Sequence, residues 1–318
     1  MRTAIRSADE LCRLLDLDLK QQKGSAEAAQ AFPVFVPRGL LSRIQKGDPT
    51  DPILRQILPI DDECRIVPGF DPDPLSESEA TRAPGLLQKY DGRALLVVTG
   101  ACAIHCRYCF RRSFPYSDSP HSLEQWKAVI RELSDDASIH EVLLSGGDPL
   151  TVVDEQLEQL IASIAEVQHI RRLRIHTRLP IAIPSRITQR LVRVLSNSRL
   201  TPVFVIHANH AAELDQSVND ALDRLISAGI PVLNQAVLLK GVNDTAAALI
   251  ELFETLADLR VMPYYLHQLD RVSGAAHFEV PVRRGMELMR QVRAKLPGYA
   301  VPRYVQEIPG EANKVVLM

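Results

Sequence analysis

The chain has 318 residues, 46% of them hydrophobic, so it is long enough to bury a large core. Its formal net charge of −2 gives no indication of nucleic-acid binding through a broadly basic face. The longest apolar runs, such as residues 94–98, are far too short to span a membrane. These properties predict a globular protein with one large domain and an appendage.

The first 90 residues show no alternation of strands and helices. Short helical patterns are separated by turns rich in proline and aspartate, as in the stretch 69–74. We therefore predict a mainly helical N-terminal extension over residues 1–90. Residues 1–10 lack the apolar core of a secretory signal, which favours a reducing, cytoplasmic location. Cys12 and Cys64 are expected to be inert.

From Arg93 onward, apolar runs typical of buried strands alternate with amphipathic patterns typical of helices. The predicted strands are 94–99, 141–145, 172–176, 201–207, 231–239 and 260–267. The predicted helices are 122–133, 155–165, 186–196, 213–228, 245–256 and 283–296. Because a helix returns the chain between consecutive strands, the sheet should be parallel. We predict an α/β fold in which residues 91–297 form a partial, TIM-like (β/α)6 barrel, followed by a C-terminal segment over 298–318.

Three cysteines follow the first predicted strand: Cys102, Cys106 and Cys109. Their spacing lets three thiolates converge on one cubane iron–sulfur cluster, whereas clusters that only carry electrons take four cysteines. The fourth iron would then be free to bind a substrate or cofactor. A disulfide is disfavoured because the cysteines are clustered and no secretory signal is evident. A structural zinc site would need a fourth ligand, which His105 could supply only by pointing inward.

This CxxxCxxC motif after the first barrel strand resembles the signature of the radical S-adenosylmethionine (radical SAM) enzymes. The resemblance implies a [4Fe–4S] cluster on the three cysteines, with S-adenosylmethionine at the open iron. A Ser-Gly-Gly-Asp stretch ends the second strand, and its glycines let backbone groups approach a ligand closely. In that family the same position holds the methionyl amino group of S-adenosylmethionine. The resemblance thus implies cofactor contact for Ser145, Gly146, Gly147 and Asp148.

Polar residues also interrupt two later strands. His207 ends the fourth strand, and Gln235 lies inside the fifth. An unpaired buried imidazole or amide costs about 1–3 kcal/mol, so each needs another side chain or a ligand as its partner. We favour cofactor contact in the barrel lumen for both. His176 and His210 stay open between a structural and a functional role.

Further stretches resemble the lysine 2,3-aminomutase family, which pairs the radical SAM cluster with pyridoxal 5′-phosphate. They are residues 89–93, 106–112, 234–244, 281–285 and 309–314. Their order along the chain is more specific than any single motif. The resemblance implies that Lys314 carries the pyridoxal phosphate. Tyr90 and Arg93 match positions near that cofactor, with Arg93 and Lys89 suited to its phosphate.

Three more residues match substrate positions of the family. Arg111 would clamp the substrate carboxylate, since a planar guanidinium is a two-point partner for it. Asp270 and Glu307 would hold the distal ammonium of lysine. The longer relatives have an aspartate where Glu307 stands and a run of glycines where Glu-Ala-Asn precedes Lys314.

The implied activity is that of an isomerase, a lysine 2,3-aminomutase that converts (S)-α-lysine to (R)-β-lysine. The chain lacks an extended C-terminal tail and so resembles the shorter branch, which supplies β-lysine for modification of elongation factor P by a synthetase-like partner enzyme. We expect an external electron donor and neither a membrane nor a nucleic-acid partner. One alternative is an aminomutase that makes free β-lysine or another β-amino acid for metabolism. A second is a non-catalytic metal-binding or scaffold protein.

Overall fold

The computed structural model describes residues 3–17, 26–120 and 122–318. Its strands form one sheet and follow each other in chain order. They are β1 (Thr81–Ala83), β2 (Leu86–Tyr90), β3 (Arg93–Thr99), β4 (Glu141–Gly146), β5 (Arg172–Thr177), β6 (Thr201–Ile206), β7 (Val232–Val237), β8 (Met262–His267), β9 (Arg303–Gln306) and β10 (Val315–Val316).

Neighbouring strands from β3 to β9 are parallel, whereas β1–β2, β2–β3 and β9–β10 are antiparallel. The sheet curls until its ends approach, because Lys89 Nζ on β2 lies 3.0 Å from Glu307 Oε1 just after β9. The predicted α/β fold with a partial parallel barrel is therefore confirmed. β3 to β8 are the predicted strands, and β9 extends the parallel run beyond them. Sequence patterning missed β9 because it is only four residues long.

Helices cover the outside of this sheet and build the N-terminal part. The α-helices are α1 (Ala8–Leu14), α2 (Ala26–Ala31), α3 (Pro52–Arg55), α4 (Leu123–Asp135), α5 (Asp154–Glu166), α6 (Leu179–Ala182), α7 (Gln189–Ser196), α8 (Gln216–Ser227), α9 (Ala246–Asp258) and α10 (Val282–Arg293). The 3₁₀ turns are Arg38–Arg43, Asp61–Cys64, Tyr116–Asp118, Pro149–Thr151, Pro184–Arg186, Ala211–Glu213, Ala276–Phe278 and Gly298–Ala300.

Side-chain caps fix where the crossover helices begin. Ser122, Thr188, Asp215 and Thr245 each accept a hydrogen bond from a backbone N–H in the first turn of α4, α7, α8 and α9. Each cap satisfies a donor that has no partner within its helix. The loops between strand ends and helix starts are thus well defined, and they carry the candidate site.

The two faces of the sheet differ in chemistry. Along β4 and β5, every second residue packs into the large core beneath the helices, as Val142 and Ile175 do. The intervening residues include Ser145, Arg174 and His176, and they face the other way. The inner face of the barrel therefore carries polar side chains, as a binding site requires.

The N-terminal segment has its own apolar core, which includes Leu11, Ile53 and Leu54. Ile104 of the cysteine loop and Ala182 of α6 belong to the same cluster. This segment therefore packs against the end of the barrel that holds the cysteines. The division into residues 1–90, 91–297 and 298–318 stays a prediction, although the sheet already begins at Thr81.

Among the described residues, no helix combines the length and the apolar character that crossing a membrane requires.

Candidate active site

The cysteine motif lies on the loop after β3, at the C-terminal end of the strand. Cys102, Cys106 and Cys109 are free, half-buried thiols. A hydrogen bond of 3.0 Å from Cys109 N to Cys106 O closes a tight turn between the last two. In the described parts of the chain, no three His, Cys, Asp or Glu side chains are arranged to hold a single metal ion. A cubane cluster instead distributes its cysteine ligands over separate irons.

A buried arginine anchors this loop to the N-terminal segment. Arg107 forms an ion pair with Glu63 at 2.6 Å and donates to Phe32 O at 2.6 Å. His105 Nδ1 lies 2.7 Å from Pro33 O, and its ring stacks on Phe32. His105 thus packs against the N-terminal segment, where its hydrogen bond is made. Among the described residues, His105 and the cysteines are not arranged as a group that could hold a single zinc ion.

The sulfur atoms sit in a buried environment. Burial raises the pKa of the Cys109 thiol to about 11 and places that of Cys102 well above its usual value. Metal ligation requires thiolates, so bound iron must displace these protons. Arg178, just after β5, places Nη1 2.6 Å from Cys106 Sγ. Its positive charge stabilises negative charge on that sulfur.

The Ser-Gly-Gly-Asp stretch ends β4 and lies directly against the cysteine loop. Gly147 N and Asp148 N donate to Thr99 O at 2.7 Å and Ala101 O at 2.8 Å. A Cβ atom on Gly146 would lie 2.4 Å from Thr99 O, and one on Gly147 would lie 2.3 Å from Ala101 O. Gly146 also has a φ of +126°. The two glycines are therefore required for this close approach of the backbones.

The carboxylate of Asp148 joins the ends of two neighbouring strands. It is buried and accepts hydrogen bonds from Thr177 Oγ1 at 2.8 Å, Arg178 N at 2.7 Å and Leu150 N at 3.0 Å. Burial raises its pKa to about 6, although these bonds oppose the shift. Its oxygens have little capacity left for a further donor. Contact of Asp148 with S-adenosylmethionine therefore stays a prediction.

Behind the cysteines lies a buried polar network. Arg178 Nη2 donates to Glu213 at 2.8 Å and to Gln56 at 2.7 Å. His207 follows β6, and its Nε2 lies 2.9 Å from the hydroxyl of Tyr108. Burial lowers the pKa of His207 to about 3, so the imidazole is neutral. The structure thus gives His207 a protein partner, and its contact with a cofactor stays a prediction.

The neighbouring amides on β7 have different surroundings. Asn234 is buried and exchanges hydrogen bonds with the backbone of Ala208, at 2.9 and 3.1 Å. Gln235 is half-buried on the opposite, inner face of the sheet. Gln235 therefore remains a candidate for ligand contact.

His210 Nδ1 accepts a hydrogen bond from Ala212 N at 3.1 Å, which is a structural role.

Five side chains of alternating charge form a connected row at the barrel mouth, here called the charged chain. Arg111 donates from Nε and Nη2 to the Glu77 carboxylate, at 2.7 and 2.8 Å. Lys89 Nζ lies 3.5 Å from Glu77 and 3.0 Å from Glu307. Lys314 Nζ binds the other oxygen of Glu307. The fold thus brings together residues that the sequence assigns to the substrate and to pyridoxal phosphate.

Asp270 and two histidines lie close enough to the charged chain for its charges to affect their pKa values. Burial raises the pKa of Asp270 to about 7; Glu307 adds to the shift, and Lys314 opposes it. His267 ends β8, and His176 is the last residue but one of β5. The buried Nε2 of each has no hydrogen-bond partner in the part of the chain that the structure describes. Burial lowers the pKa of His267 to about 3 and that of His176 well below its usual value. Buried polar atoms without partners indicate a place for a ligand.

The remaining predicted residues border the same space. The guanidinium of Arg93 stacks 4.6 Å from the centre of the Tyr90 ring. The Tyr90 hydroxyl interacts with Glu307, and burial raises its pKa. Arg111 Nη1 donates to Ser145 Oγ at 2.9 Å, which links the charged chain to the Ser-Gly-Gly-Asp stretch.

These residues fit the groups that the sequence resemblance implies. Three free thiols on one loop are the donor set of a cluster with an open iron. A primary amine, cationic side chains and unpaired imidazoles suit a phosphorylated pyridine aldehyde.

Two cavities differ in their relation to the site. A groove of about 930 Å³ lies on the outer surface along α5 and α7, and none of the predicted site residues lines it. A cavity of about 160 Å³ is lined by both Glu77 and Arg111. The smaller one borders the candidate site.

Sequence reasoning missed several residues of this region. Glu77 precedes the barrel in a segment without regular patterning, and its pairing with Arg111 spans 34 positions. Arg178 and Glu213 are ordinary charges in the sequence and become notable only through burial. His267 ends a predicted strand, and that position could have marked it as a candidate.

Comparison with known proteins gives a consistent result. The family model described as the radical SAM superfamily matches residues 96–253. L-lysine 2,3-aminomutase of Escherichia coli (strain K12) is 44% identical over 98% of this chain and 92% of its own length. L-lysine 2,3-aminomutase of Clostridium subterminale is 36% identical over 100% of this chain and 76% of its own length.

Among solved structures, Streptococcus suis SuiB bound to the precursor peptide SuiA superimposes with a TM-score of 0.52. The match has 14% sequence identity and covers 70% of this chain and 50% of the other. At that identity, the likeness concerns the fold alone.

Proposed function

Because the chain belongs to the lysine 2,3-aminomutase family of radical SAM enzymes, we propose that it converts (S)-α-lysine to (R)-β-lysine. The observation that carries this proposal is the charged chain beside the cysteine loop. Arg111 suits one end of a zwitterionic amino acid, and the acidic pair Asp270 and Glu307 suits a positive distal end. A lysine substrate needs both.

The proposed cofactor sites follow from the donor sets. Cys102, Cys106 and Cys109 would hold a [4Fe–4S] cluster, with S-adenosylmethionine on its open iron beside the Ser-Gly-Gly-Asp stretch. Lys314 would hold pyridoxal phosphate beside Tyr90 and Arg93, with the phosphate near Arg93 and Lys89. When bound, these groups supply a carbon-centred radical and a π system through which an amino group can migrate. An external one-electron donor is required to reduce the cluster.

The protein's own contribution is positioning and charge. In this structure, the ammonium of Lys314 forms an ion pair with Glu307. The distal ammonium of a substrate lysine would bind to the same carboxylate. Lys314 and Lys89 hold the pKa of Glu307 at about 2 against the effect of burial, so this acid is ionised throughout the physiological range. When Lys314 carries pyridoxal phosphate instead, Lys89, at 3.0 Å, remains as a cation beside Glu307.

Asp270 behaves differently from Glu307. Because its pKa is raised to about 7, Asp270 gains or loses its proton near neutral pH, so its charge depends on the pH of the solution and on nearby cations. A second ammonium beside it would favour the ionised form. This pair of acids argues against glutamate as the substrate, because its distal carboxylate would be repelled.

We further propose that the β-lysine serves the modification of elongation factor P by a synthetase-like partner enzyme. The support is the resemblance to the shorter branch of the family. An oxygen-sensitive cluster also suits the reducing cytoplasm. Deletion of the gene should leave elongation factor P without its β-lysyl group in intact-mass spectrometry, and added β-lysine should restore it. If modification persists in the deletion strain, the product serves another purpose.

The catalytic proposal is tested on anaerobically reconstituted protein. It is incubated with S-adenosylmethionine, pyridoxal phosphate, reductant and (S)-lysine, and the amino acids are resolved on a chiral column. We expect (R)-β-lysine to form, and Cys106→Ala to abolish its formation. A protein that carries the full cluster and pyridoxal phosphate but leaves lysine unchanged would contradict the proposal.

A further inference from the structure

Glu77 is a buried acid at the barrel mouth that the proposed reaction does not yet use. Its residue surface is 4% exposed, although the chain before β1 is otherwise rich in exposed turns. Glu77 N donates to Asp73 Oδ1 at 2.9 Å, and Glu77 O accepts from Thr81 Oγ1 at 2.9 Å. The backbone of Glu77 is therefore fixed on both sides, and its side chain is directed at Arg111.

The pairing leaves a defined set of donors on Arg111. An arginine has five N–H groups. Glu77 takes one from Nε and one from Nη2, and Ser145 Oγ takes one from Nη1. Counting partners among the described residues, one N–H then remains on each terminal nitrogen. Two remaining donors on neighbouring nitrogens suit one carboxylate.

Glu77 also faces the cofactor side of the charged chain. Its Oε1 accepts from Arg111 and lies 3.5 Å from Lys89 Nζ. Burial raises the pKa of Glu77, but Arg111 and Lys89 outweigh that effect and hold it below its usual value. A permanent negative charge therefore stands between two cations.

We propose that Glu77 is a positioning residue that orients Arg111, so that the two free N–H groups of the guanidinium receive the α-carboxylate of the substrate. This inference rests on the proposed function, in which Arg111 binds that carboxylate. Glu77 itself does not touch the substrate. It holds the guanidinium in one rotamer and compensates a buried positive charge that would otherwise be unpaired.

The test compares ligands that differ only in the carboxylate. Lysine and its decarboxylated analogue cadaverine are titrated into anaerobic holoenzyme, and binding is followed by the visible absorbance of the pyridoxal cofactor. In Glu77→Gln, lysine should bind about 10- to 100-fold more weakly, because a charge-assisted contact loses its orientation. Cadaverine should bind within about twofold of its wild-type affinity, since it presents no group to Arg111.

Glu79→Gln is the matched control, because Glu79 is an exposed acid in the same segment. This variant should leave both affinities unchanged. Glu77→Asp keeps the charge one methylene further away and should weaken lysine binding only in part. If Glu77→Gln does not fold, Glu77→Asp allows the same comparison of lysine with cadaverine, with a smaller expected loss of lysine affinity.

Three results would overturn the inference. Equal weakening of both ligands would mean that Glu77 only maintains the structure. Unchanged lysine binding would mean that Arg111 does not need Glu77, and tighter lysine binding would make Glu77 a competitor for Arg111. Failure of the proposed function would be a separate result, because the wild-type enzyme would then form no β-lysine in the product assay.

Discussion

The two ends of the candidate site are stabilised by different means. Around the cysteines, side chains pair with each other and also bond to backbone atoms: Asp148 joins two strand ends, and Arg107 binds carbonyl groups of the N-terminal segment. In the charged chain, side chains bond mainly to each other. The first arrangement can hold one geometry for a cluster, whereas the second can exchange an internal charge for one on a ligand. Apart from the cysteines themselves, substitutions at the first end should therefore affect folding, and those at the second should affect binding and chemistry.

The largest effect should follow Lys314→Ala. This change removes the amine that we assign to pyridoxal phosphate, so activity should fall by at least about 10⁴-fold, or roughly 5.5 kcal/mol in the activation barrier. The visible absorbance of the bound cofactor should disappear, and thermal stability should change little. Lys295→Ala, at an exposed lysine, is the control. If the absorbance persists in Lys314→Ala, another amine binds the cofactor.

Arg178→Met should show the opposite pattern and act mainly on stability. It leaves the fully buried carboxylate of Glu213 without its cation, which costs about 3–5 kcal/mol. Chemical denaturation of the reduced protein measures this loss. The double variant with Glu213→Gln should recover much of it. Arg190→Met removes two partly exposed ion pairs, with Glu155 and Glu158, and should change stability by less than about 1 kcal/mol.

Lysine affinity should depend on pH through Asp270. The pKa of this carboxyl is about 7 in the folded protein, so it is mostly neutral at pH 6 and attracts an ammonium only above pH 7. Lysine should bind about tenfold more weakly at pH 6 than at pH 8. Asp270→Asn should bind weakly at both values and lose the dependence. A wild-type affinity that is constant between pH 6 and 8 would exclude Asp270 as the ammonium partner.

The raised pKa of Asp270 also makes the free energy of unfolding depend on pH. The folded pKa of Asp270 lies above the ordinary value of 3.8, so the folded state holds its proton more tightly than the unfolded state does. Its contribution to the free energy of unfolding is therefore largest below about pH 4 and is lost as the pH rises through about 7. Asp270→Asn should remove this loss.

The sequence predicted what depends on local pattern. The parallel strands and the cysteine loop after β3 follow from short stretches of residues. The sequence also marked Gly146 and Gly147 as places of close approach to a ligand, whereas the structure shows them against the backbone of Thr99 and Ala101. Pairings that depend on chain path were not predictable in this way. Glu77 reaches Arg111, and Arg178 reaches Glu213, only because the folded barrel brings distant charges together. The partner of His207 was likewise invisible, since Tyr108 lies 99 positions away.

The smallest expected effect concerns the hydrogen bond that Tyr116 makes to the Ser-Gly-Gly-Asp stretch. The Tyr116 hydroxyl donates to Gly146 O at 3.2 Å, so Tyr116→Phe should lower stability by about 1 kcal/mol. Tyr299→Phe changes a tyrosine that is 76% exposed and should stay within about 0.5 kcal/mol of wild type. Chemical denaturation distinguishes the two. Since the remaining backbone bonds of Gly147 and Asp148 still fix the loop, lysine affinity should be unchanged in Tyr116→Phe. A loss of affinity without a loss of stability would show that this end also depends on side-chain adjustment, and the contrast between the two ends would fail.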